Sequence, residues 1–309
     1  MKRITIVFFF FPCLLWAQDI HFTQWMLHPV FSNPANSGFF YGEYRIHAQQ
    51  RSQWGSVSVP FTSTSLGMDM SLKEVGLGGQ LLFDNAGTSS LHTTQFNLTA
   101  AYQLGTWRGG VQLGFAQRSI DYSNLIFPDA NESFASESKS FLDVGVGVLK
   151  TIEMSFDKSL ELGITHFHLN KPNTSFTENA DKLPMRHQLQ ANLYWQLSDY
   201  WQLQPSLMYQ QQGVSRELFF GTRIQVDISD YYQRNIKLNS GAMFRSGDAV
   251  SLLLGAQIED THLALSYDWN VSDLVPASNG LGAWEISFTH ILQQQIPKRP
   301  RYKVCPIYL

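Results

Sequence analysis

A two-residue alternation of apolar and polar side chains recurs along most of the chain after residue 42. In residues 188–196 the odd positions are apolar and most even positions are amides. A β-strand with this pattern has one apolar face and one polar face. Many such segments with almost no helical pattern are typical of a sheet that closes on itself, with lipid outside and water inside.

The alternation predicts about fourteen strands, an even number, as bacterial single-chain barrels have. Nearly all reach the roughly 9–11 residues that a tilted strand needs to cross a bilayer. The predicted strands are 43–51, 61–71, 74–84, 92–104, 108–118, 139–151, 159–168, 186–196, 200–211, 216–227, 231–245, 248–259, 261–269 and 280–292. We therefore predict an all-β protein, a transmembrane antiparallel β-barrel over residues 43–292.

The connections between these strands differ in length. Those after even-numbered strands are tight, for example Leu72-Lys73 and Ser229-Asp230, whereas longer ones follow odd-numbered strands, notably 119–138, 169–185 and 270–279. Outer-membrane barrels have short periplasmic turns and longer outer loops. Both mature termini are therefore expected in the periplasm.

The alternation also assigns faces. Phe96, Leu98 and Tyr102 are expected to face lipid, and Asn97 and Thr99 the lumen. A charge at the lipid midplane costs roughly 2–4 kcal/mol, so charged residues should point inward. Those that fall mostly on lumen parity are Arg51, Asp69, Asp143, Glu161, Asp268 and Glu285. A large soluble β-sandwich, the alternative, would need polar outer faces, and nearly every segment here keeps an apolar one.

Composition supports the membrane interpretation. Charged residues make up 15% of the 309 residues and aromatic residues 14%, whereas soluble domains carry roughly 25% charge. No segment after the N-terminal leader has the roughly 20 apolar residues that a membrane helix needs. The net charge of −3 does not suggest a nucleic-acid partner.

Both chain ends lie outside the predicted barrel. Residues 1–17 have the form of a signal peptide, with Lys2 and Arg3 before an apolar run and Ala17 before the cleavage point. The mature chain then keeps one cysteine and cannot form an internal disulfide. Residues 293–309 form a basic, proline-rich periplasmic tail, either docked on a partner or solvated and disordered. Its candidate residues are Lys298, Arg299, Arg301, Lys303 and Cys305.

Residues 18–38 read QDIHFTQWMLHPVFSNPANSG and are followed by Arg51-Ser52-Gln53-Trp54. This opening resembles that of the PorP/SprF family, outer-membrane proteins of type IX secretion and gliding systems in Bacteroidetes. Later pieces, SGAMFR at 240–245 and GAWEIS at 282–287, keep the same register. The resemblance spans almost the whole mature chain, although the tail beyond the last strand departs from the family pattern.

The resemblance implies a role and no reaction. Members of this family are needed for secretion or surface attachment of type IX cargo, including adhesins of gliding motility. It therefore implies an outer-membrane location and three kinds of partner: the C-terminal domain of a secreted cargo or adhesin, periplasmic or lipoprotein components of the machinery, and outer-membrane lipid. It implies no cofactor. A FadL-like transport channel for small or hydrophobic solutes is the alternative.

Residues 18–42 do not fit a strand. Pro29 and Pro34 resist a regular helix, and Asn33-Pro34-Ala35 resembles an element in the N-terminal hatch of FadL-like barrels. A plug folded into the barrel mouth is favoured over a loosely ordered periplasmic arm, because lumen side chains can satisfy its backbone. The candidate plug or partner-binding residues are Phe22, Gln24, Met26, Pro29, Asn33, Pro34, Ala35, Gly38, Arg51 and Trp54.

Catalytic and metal sites have little support in the sequence. His166 and His168 share a face of one strand, as metal ligands could, but their parity matches the lipid side at the outer interface. Asp143 and Glu161 are better explained as lumen charges than as an acid–base pair. Motifs of metalloproteases, thiol oxidoreductases, P-loops and hydrolases are absent. Aromatic residues of the outer loops suit either protein contacts or a lid: Phe127, Phe134 and Phe176.

Overall fold

Fourteen antiparallel strands form a closed barrel in which β1 pairs with β14. The computed structural model describes residues 19–56, 59–87, 91–122, 136–176, 181–229, 235–273 and 275–293. The predicted signal peptide, the tail candidates, Phe127 and Phe134 lie outside these ranges. The strands are β1 (Tyr44–Gln53), β2 (Phe61–Leu72), β3 (Val75–Ala86), β4 (Leu91–Leu104), β5 (Trp107–Ile120), β6 (Glu137–Ser155), β7 (Lys158–Phe167), β8 (Arg186–Gln196), β9 (Trp201–Gln212), β10 (Ser215–Asp227), β11 (Ile236–Arg245), β12 (Ala249–Ile258), β13 (Thr261–Asn270) and β14 (Leu281–Leu292).

The predicted barrel is confirmed, and most strand ends lie within a few residues of the prediction. One strand start differs from the prediction. The sequence predicts a tight turn at Ser229-Asp230 and a strand from residue 231, whereas β11 begins at Ile236, whose carbonyl oxygen accepts a hydrogen bond from the Ile228 N–H at 2.9 Å. Residues 230–234 lie outside the described ranges.

The two faces follow the alternation. Phe96, Leu98 and Tyr102 are 43–55% exposed on the outer surface, whereas Asn97 and Thr99 are buried in the lumen. Five of the six charged residues predicted to point inward are at most 2% exposed, so none of these five faces lipid; they are Arg51, Asp69, Asp143, Asp268 and Glu285. The sixth, Glu161, pairs with Arg108 inside the barrel.

The lumen is filled by the N-terminal segment, residues 19–43. This segment contains a 3-10 turn at Trp25–Leu27, a short helix α1 at Pro29–Ser32 and a second 3-10 turn at Pro34–Asn36. A further short helix, α2, covers Val275–Ser278 between β13 and β14. Within the described ranges, no helix has the length and apolar character needed to cross a membrane.

The barrel has two distinct ends. At the short-turn end, the turns Lys73-Glu74 and Gly105-Thr106 join neighbouring strands; at the long-loop end, residues 121–136 and 168–185 connect β5 to β6 and β7 to β8. The first described residue, Asp19, contacts residues of the long-loop end. The last, Gln293, bonds to Asp260 at the short-turn end.

The first and last described residues therefore lie at opposite ends of the barrel, because the N-terminal segment runs the length of the lumen before β1 begins at the short-turn end, where the Glu43 N–H bonds to the Leu292 carbonyl oxygen. Both mature termini lie outside the described residues, so their periplasmic location stays a prediction.

Candidate functional site

The contact surface between the N-terminal segment and the barrel wall gathers most of the candidate residues. Two prolines shape the segment, since Pro29 opens α1 and Pro34 opens the second 3-10 turn. Proline is tolerated there because the first residue of a helix needs no backbone donor. Asn33 caps the second turn by accepting a hydrogen bond from the Ala35 N–H at 2.9 Å. The segment is therefore compact without being a regular helix.

A group of four ionic residues, which we call the charged wall, holds the part of the segment nearest the long-loop end. It consists of Arg51, Arg245, Asp268 and Glu285. The Glu285 carboxylate accepts hydrogen bonds from the backbone N–H groups of Thr23 and Gln24, each at 2.8 Å, and from Arg51 at 3.2 Å. These buried backbone N–H groups therefore donate to a carboxylate instead of to water.

The charged wall is internally paired. Arg51 and Arg245 both donate to the Asp268 carboxylate, at 2.8 and 3.2 Å, and the Thr23 hydroxyl donates to it at 2.9 Å. Gln24 is completely buried, and its side chain bonds to strand β13, to the β14 backbone and to Ser287. Because each charge has an opposite partner and directed hydrogen bonds, burial is compensated.

A second surface, the glycine wall, faces the other side of the segment. It consists of Gly76, Gly110 and Gly147 on β3, β5 and β6. A β-carbon on Gly110 would overlap the backbone of Pro34 and Ala35, and one on Gly147 would overlap the Asn33 side chain. A β-carbon on Gly76 would overlap the backbone of the segment at residue 37. Shape rather than charge fixes the segment here.

Gly38 marks the exit of the segment toward β1. Its backbone φ is +75°, which glycine adopts without the cost of a side chain. Its N–H donates to the Asp69 carboxylate at 2.7 Å, and the same carboxylate accepts two hydrogen bonds from Arg45, at 3.0 and 2.7 Å.

The start of the segment is anchored by a group that we call the Asp19 latch: Asp19, Asp143, His168 and Arg186. His168 bonds to Asp19 at 2.5 Å and to Asp143 at 2.8 Å, while Arg186 lies 3.2 Å from Asp19. Burial opposes the charge on His168, but Asp19 and Asp143 raise the pKa of its imidazole to about 9. Burial likewise opposes the Asp19 charge, but His168 and Arg186 hold the Asp19 pKa below its usual range.

His168 corrects the sequence analysis, which placed it with His166 on the lipid side. β7 ends at Phe167, and His168 has a backbone φ of +58°, which turns its side chain into the lumen. Parity therefore fails one residue past the strand end.

His166 bonds to His187 at 2.7 Å on the neighbouring strand. Within the described ranges, no group of three or more His, Cys, Asp or Glu residues is arranged to hold a metal ion.

His28 lies midway along the lumen. Its ring bonds to Gln49 at 3.1 Å and to Gln80 at 3.0 Å. Burial lowers the pKa of His28 to about 3, so the ring is neutral at physiological pH. The middle of the segment is thus held by neutral hydrogen bonds.

Within the described part of the chain, cavities lie beside the segment near both ends of the barrel. One of about 110 Å³ lies near the long-loop end between apolar side chains, including Phe31, Phe141 and Phe167, and charged ones, including Arg118. A second of about 220 Å³ lies near the short-turn end and has a mostly polar lining that includes Arg108, Glu161 and Arg223.

A sequence model of the family described as "Type IX secretion system membrane protein PorP/SprF" matches residues 15–290. The chain belongs to the PorP/SprF family. Family membership and the closed barrel together place it in the outer membrane as a component of type IX secretion. Comparison with curated proteins finds no significant match.

Solved structures with similar folds are distant in sequence. The Ralstonia pickettii toluene transporter TbuX is 11% identical with a TM-score of 0.54, and the match covers 86% of this chain and 94% of that one. The Pseudomonas putida toluene transporter TodX is 9% identical with a TM-score of 0.51, covering 84% and 91%. These likenesses extend to the fold of this PorP/SprF barrel and no further.

Most of the candidate residues of the PorP/SprF chain come together in the lumen. Phe22 packs edge-on against Phe31 at 5.0 Å, and Met26 packs on the apolar cluster of Trp25, Met208 and Phe219. Ala35 is completely buried against the glycine wall. Trp54 is the exception: it lies past the end of β1 at the long-loop end and packs on Phe61 at 5.1 Å.

Sequence reasoning missed three features of the site: the contact between Asp19 and His168, the hydrogen bonds that Glu285 accepts from the plug, and the glycine wall. For the glycine wall a signal exists, because Gly76, Gly110 and Gly147 all fall on lumen parity of their strands. Inward glycines on nearby strands make room for a backbone inside the barrel.

Proposed function

We propose that this protein binds a secreted, adhesin-type cargo through the C-terminal domain of that cargo and anchors it or assists its delivery to the cell surface. Periplasmic or lipoprotein components of the secretion machinery would meet the barrel from the other side. Family membership supports the coarse role, and the proposed action is binding rather than catalysis.

The occupied lumen is the observation that carries this proposal. Residues 19–38 fill the barrel along its length, and their polar groups bond to the charged wall, to Asp69 and to the Asp19 latch. A barrel closed in this way offers its rim and loops, rather than a wide pore, to a protein partner. The plug is held by directed hydrogen bonds at three levels, which favours a fixed scaffold.

The long-loop end is the surface that we propose for the cargo. Val214, Val271 and Leu281 are 47–70% exposed there. Trp54 and Phe61 add an aromatic pair on the same rim. Apolar and aromatic side chains on a rim of polar loops are typical of protein-binding sites.

Purification from the native outer membrane tests the proposal. The wild-type chain should co-purify with a secreted surface protein, and deletion of the chain should leave that protein undelivered. A variant with Trp54→Ala and Phe61→Ala should keep the barrel but lose much of the co-purifying protein. A matched change on the lipid face, Leu98→Ala, should retain it. Unimpaired surface delivery in the deletion strain contradicts the proposal.

A transport channel is the second candidate, favoured by the cavity near the long-loop end. Phe31, Phe141 and Phe167 border this cavity, together with polar side chains such as Gln95 and Arg118. Aromatic walls of this kind can contact a small hydrophobic solute. The similar folds named above are toluene transporters. Deleting residues 19–38 should raise the conductance of the barrel in planar bilayers. Solute uptake by the wild-type barrel, without a bound surface protein, would favour transport over anchoring.

A further inference from the structure

A polar cavity remains beneath the N-terminal segment at the short-turn end, and we call it the short-turn vestibule. It has a volume of about 220 Å³, and the segment forms its roof with Met26, Pro29 and Asn36. Arg108 and Arg223 line its walls from strand positions close to the short-turn end. In outer-membrane barrels this end meets the periplasm, so a periplasmic molecule would enter here.

The cationic groups of the vestibule are not equivalent. Arg45 donates two hydrogen bonds to the Asp69 carboxylate, and Arg108 pairs with Glu161. Arg223 bonds to the Gln204 amide oxygen, with its Nε at 3.0 Å. Among the described residues, no carboxylate lies within salt-bridge distance of Arg223. Glu161 is already paired with Arg108, so the Arg223 guanidinium has no carboxylate partner of its own, which favours binding of an anion.

An unsatisfied acceptor lies on the same lining. Asn192 is 7% exposed, and its Oδ1 atom is buried without a hydrogen-bond partner in the described part of the chain. Its Nδ2 group donates to Glu161 at 3.4 Å. Buried amide oxygens are normally paired, so the vestibule needs a donor as well as an anion. A peptide with an acidic side chain carries both, because its backbone N–H groups are donors.

We propose that the short-turn vestibule receives an acidic peptide segment of a periplasmic partner protein, with an Asp or Glu side chain of that segment on Arg223. A backbone N–H of the segment bonds to the Asn192 amide oxygen. This inference rests on the proposed function, because the vestibule acts in secretion only if the barrel works with periplasmic components of the machinery. The binding itself is a property of the isolated barrel and is tested separately.

Binding of a labelled glutamate-rich peptide to the purified full-length protein in detergent tests this inference. Wild type should bind this peptide at least about tenfold more tightly than a matched glutamine-rich peptide, since a hydrogen bond to a charged group contributes about that factor or more. Arg223→Gln should lose this preference, and Arg223→Lys should keep part of it. Arg216→Gln, which removes an exposed arginine from the opposite end of the same strand, should bind like wild type.

Two outcomes overturn the inference. One is equal affinity of wild type for the two peptides, and the other is an Arg223→Gln variant that retains the preference. Heat-modified mobility on gels shows whether each variant forms a closed barrel, and the wild-type comparison does not depend on any variant folding. If the wild-type protein shows no peptide preference although its deletion abolishes cargo delivery, the vestibule inference alone is rejected. If the wild-type protein shows the preference although the deletion strain still delivers its cargo, the proposed function alone is rejected.

Discussion

The charged wall and the glycine wall hold the same N-terminal segment by opposite means. In the charged wall, the carboxylates of Glu285 and Asp268 accept hydrogen bonds from Thr23 and Gln24, so this wall holds the segment by electrostatic attraction. The glycine wall offers no functional group, and Gly110 and Gly147 simply leave space for the turn at residues 33–35. One wall fixes the segment by compensating buried charge, and the other fixes it by shape.

The difference matters for how each wall can fail. Removing one member of a buried ionic group leaves an uncompensated charge, so the damage exceeds the size of the atom lost. Adding one carbon to the glycine wall forces a backbone shift that the segment can absorb in part. The segment should therefore respond more strongly to a change of charge than to a change of volume.

Glu285→Gln should produce the largest effect. The amide keeps the shape but removes a charge, and its NH2 group meets a backbone N–H of Thr23 or Gln24 that needs an acceptor. We expect a loss of about 3–5 kcal/mol in the anchoring of the segment. Hydrogen–deuterium exchange of residues 19–38, followed by mass spectrometry, measures this release.

Glu137→Gln is the matched control, because Glu137 is an exposed strand residue at the long-loop end. It should leave exchange in residues 19–38 unchanged. Equal protection of the segment in Glu285→Gln and wild type would show that the charged wall does not hold it.

Gly110→Ala tests the glycine wall and should have a smaller effect. The new β-carbon overlaps the backbone of Pro34 and Ala35, so the turn must move or the strand must bend. Overpacking of this kind costs about 1–3 kcal/mol. Faster exchange should be confined to residues around 33–38, with Thr23 and Gln24 still protected.

Gly109→Ala provides the control on the neighbouring position. A β-carbon there meets no atom within 4 Å, since the side chain points to the outer face. Both variants carry the same substitution in β5 and differ only in the face. If both release the segment equally, strand flexibility rather than fit against the turn is responsible.

The barrel could be predicted from sequence because successive side chains of a strand point to opposite faces, so the alternation of apolar and polar residues shows which face each one occupies. The inward positions of Arg51, Asp268 and Glu285 followed from this parity alone. The partners across the lumen did not follow, because the path of an irregular segment through a closed barrel depends on contacts that are hundreds of residues apart, such as Thr23 with Glu285. His168 was misplaced because parity carries no information beyond the last residue of a strand.

The Asp19 latch offers the smallest and most condition-dependent effect. The pKa of His168 is raised from its ordinary 6.5 to about 9, so its charge stabilises the latch fully below pH 6.5, and this contribution is lost as pH rises through 9. The Asp19 pKa is lowered from 3.8, so its contribution is present above that value and lost only in acid. Asp143, Arg186 and Gln212 are the other groups that face the pair.

A spin label at residue 20 measures the latch, in an Ile20→Cys variant with Cys13 and Cys305 changed to serine. The label should become more mobile between pH 8 and 10, as His168 loses its charge. The expected loss of anchoring free energy is only about 1 kcal/mol, because Arg186 and Gln212 still hold Asp19. His168→Gln should remove this alkaline transition. A transition that persists in His168→Gln would assign the titration to another group and contradict this role of His168.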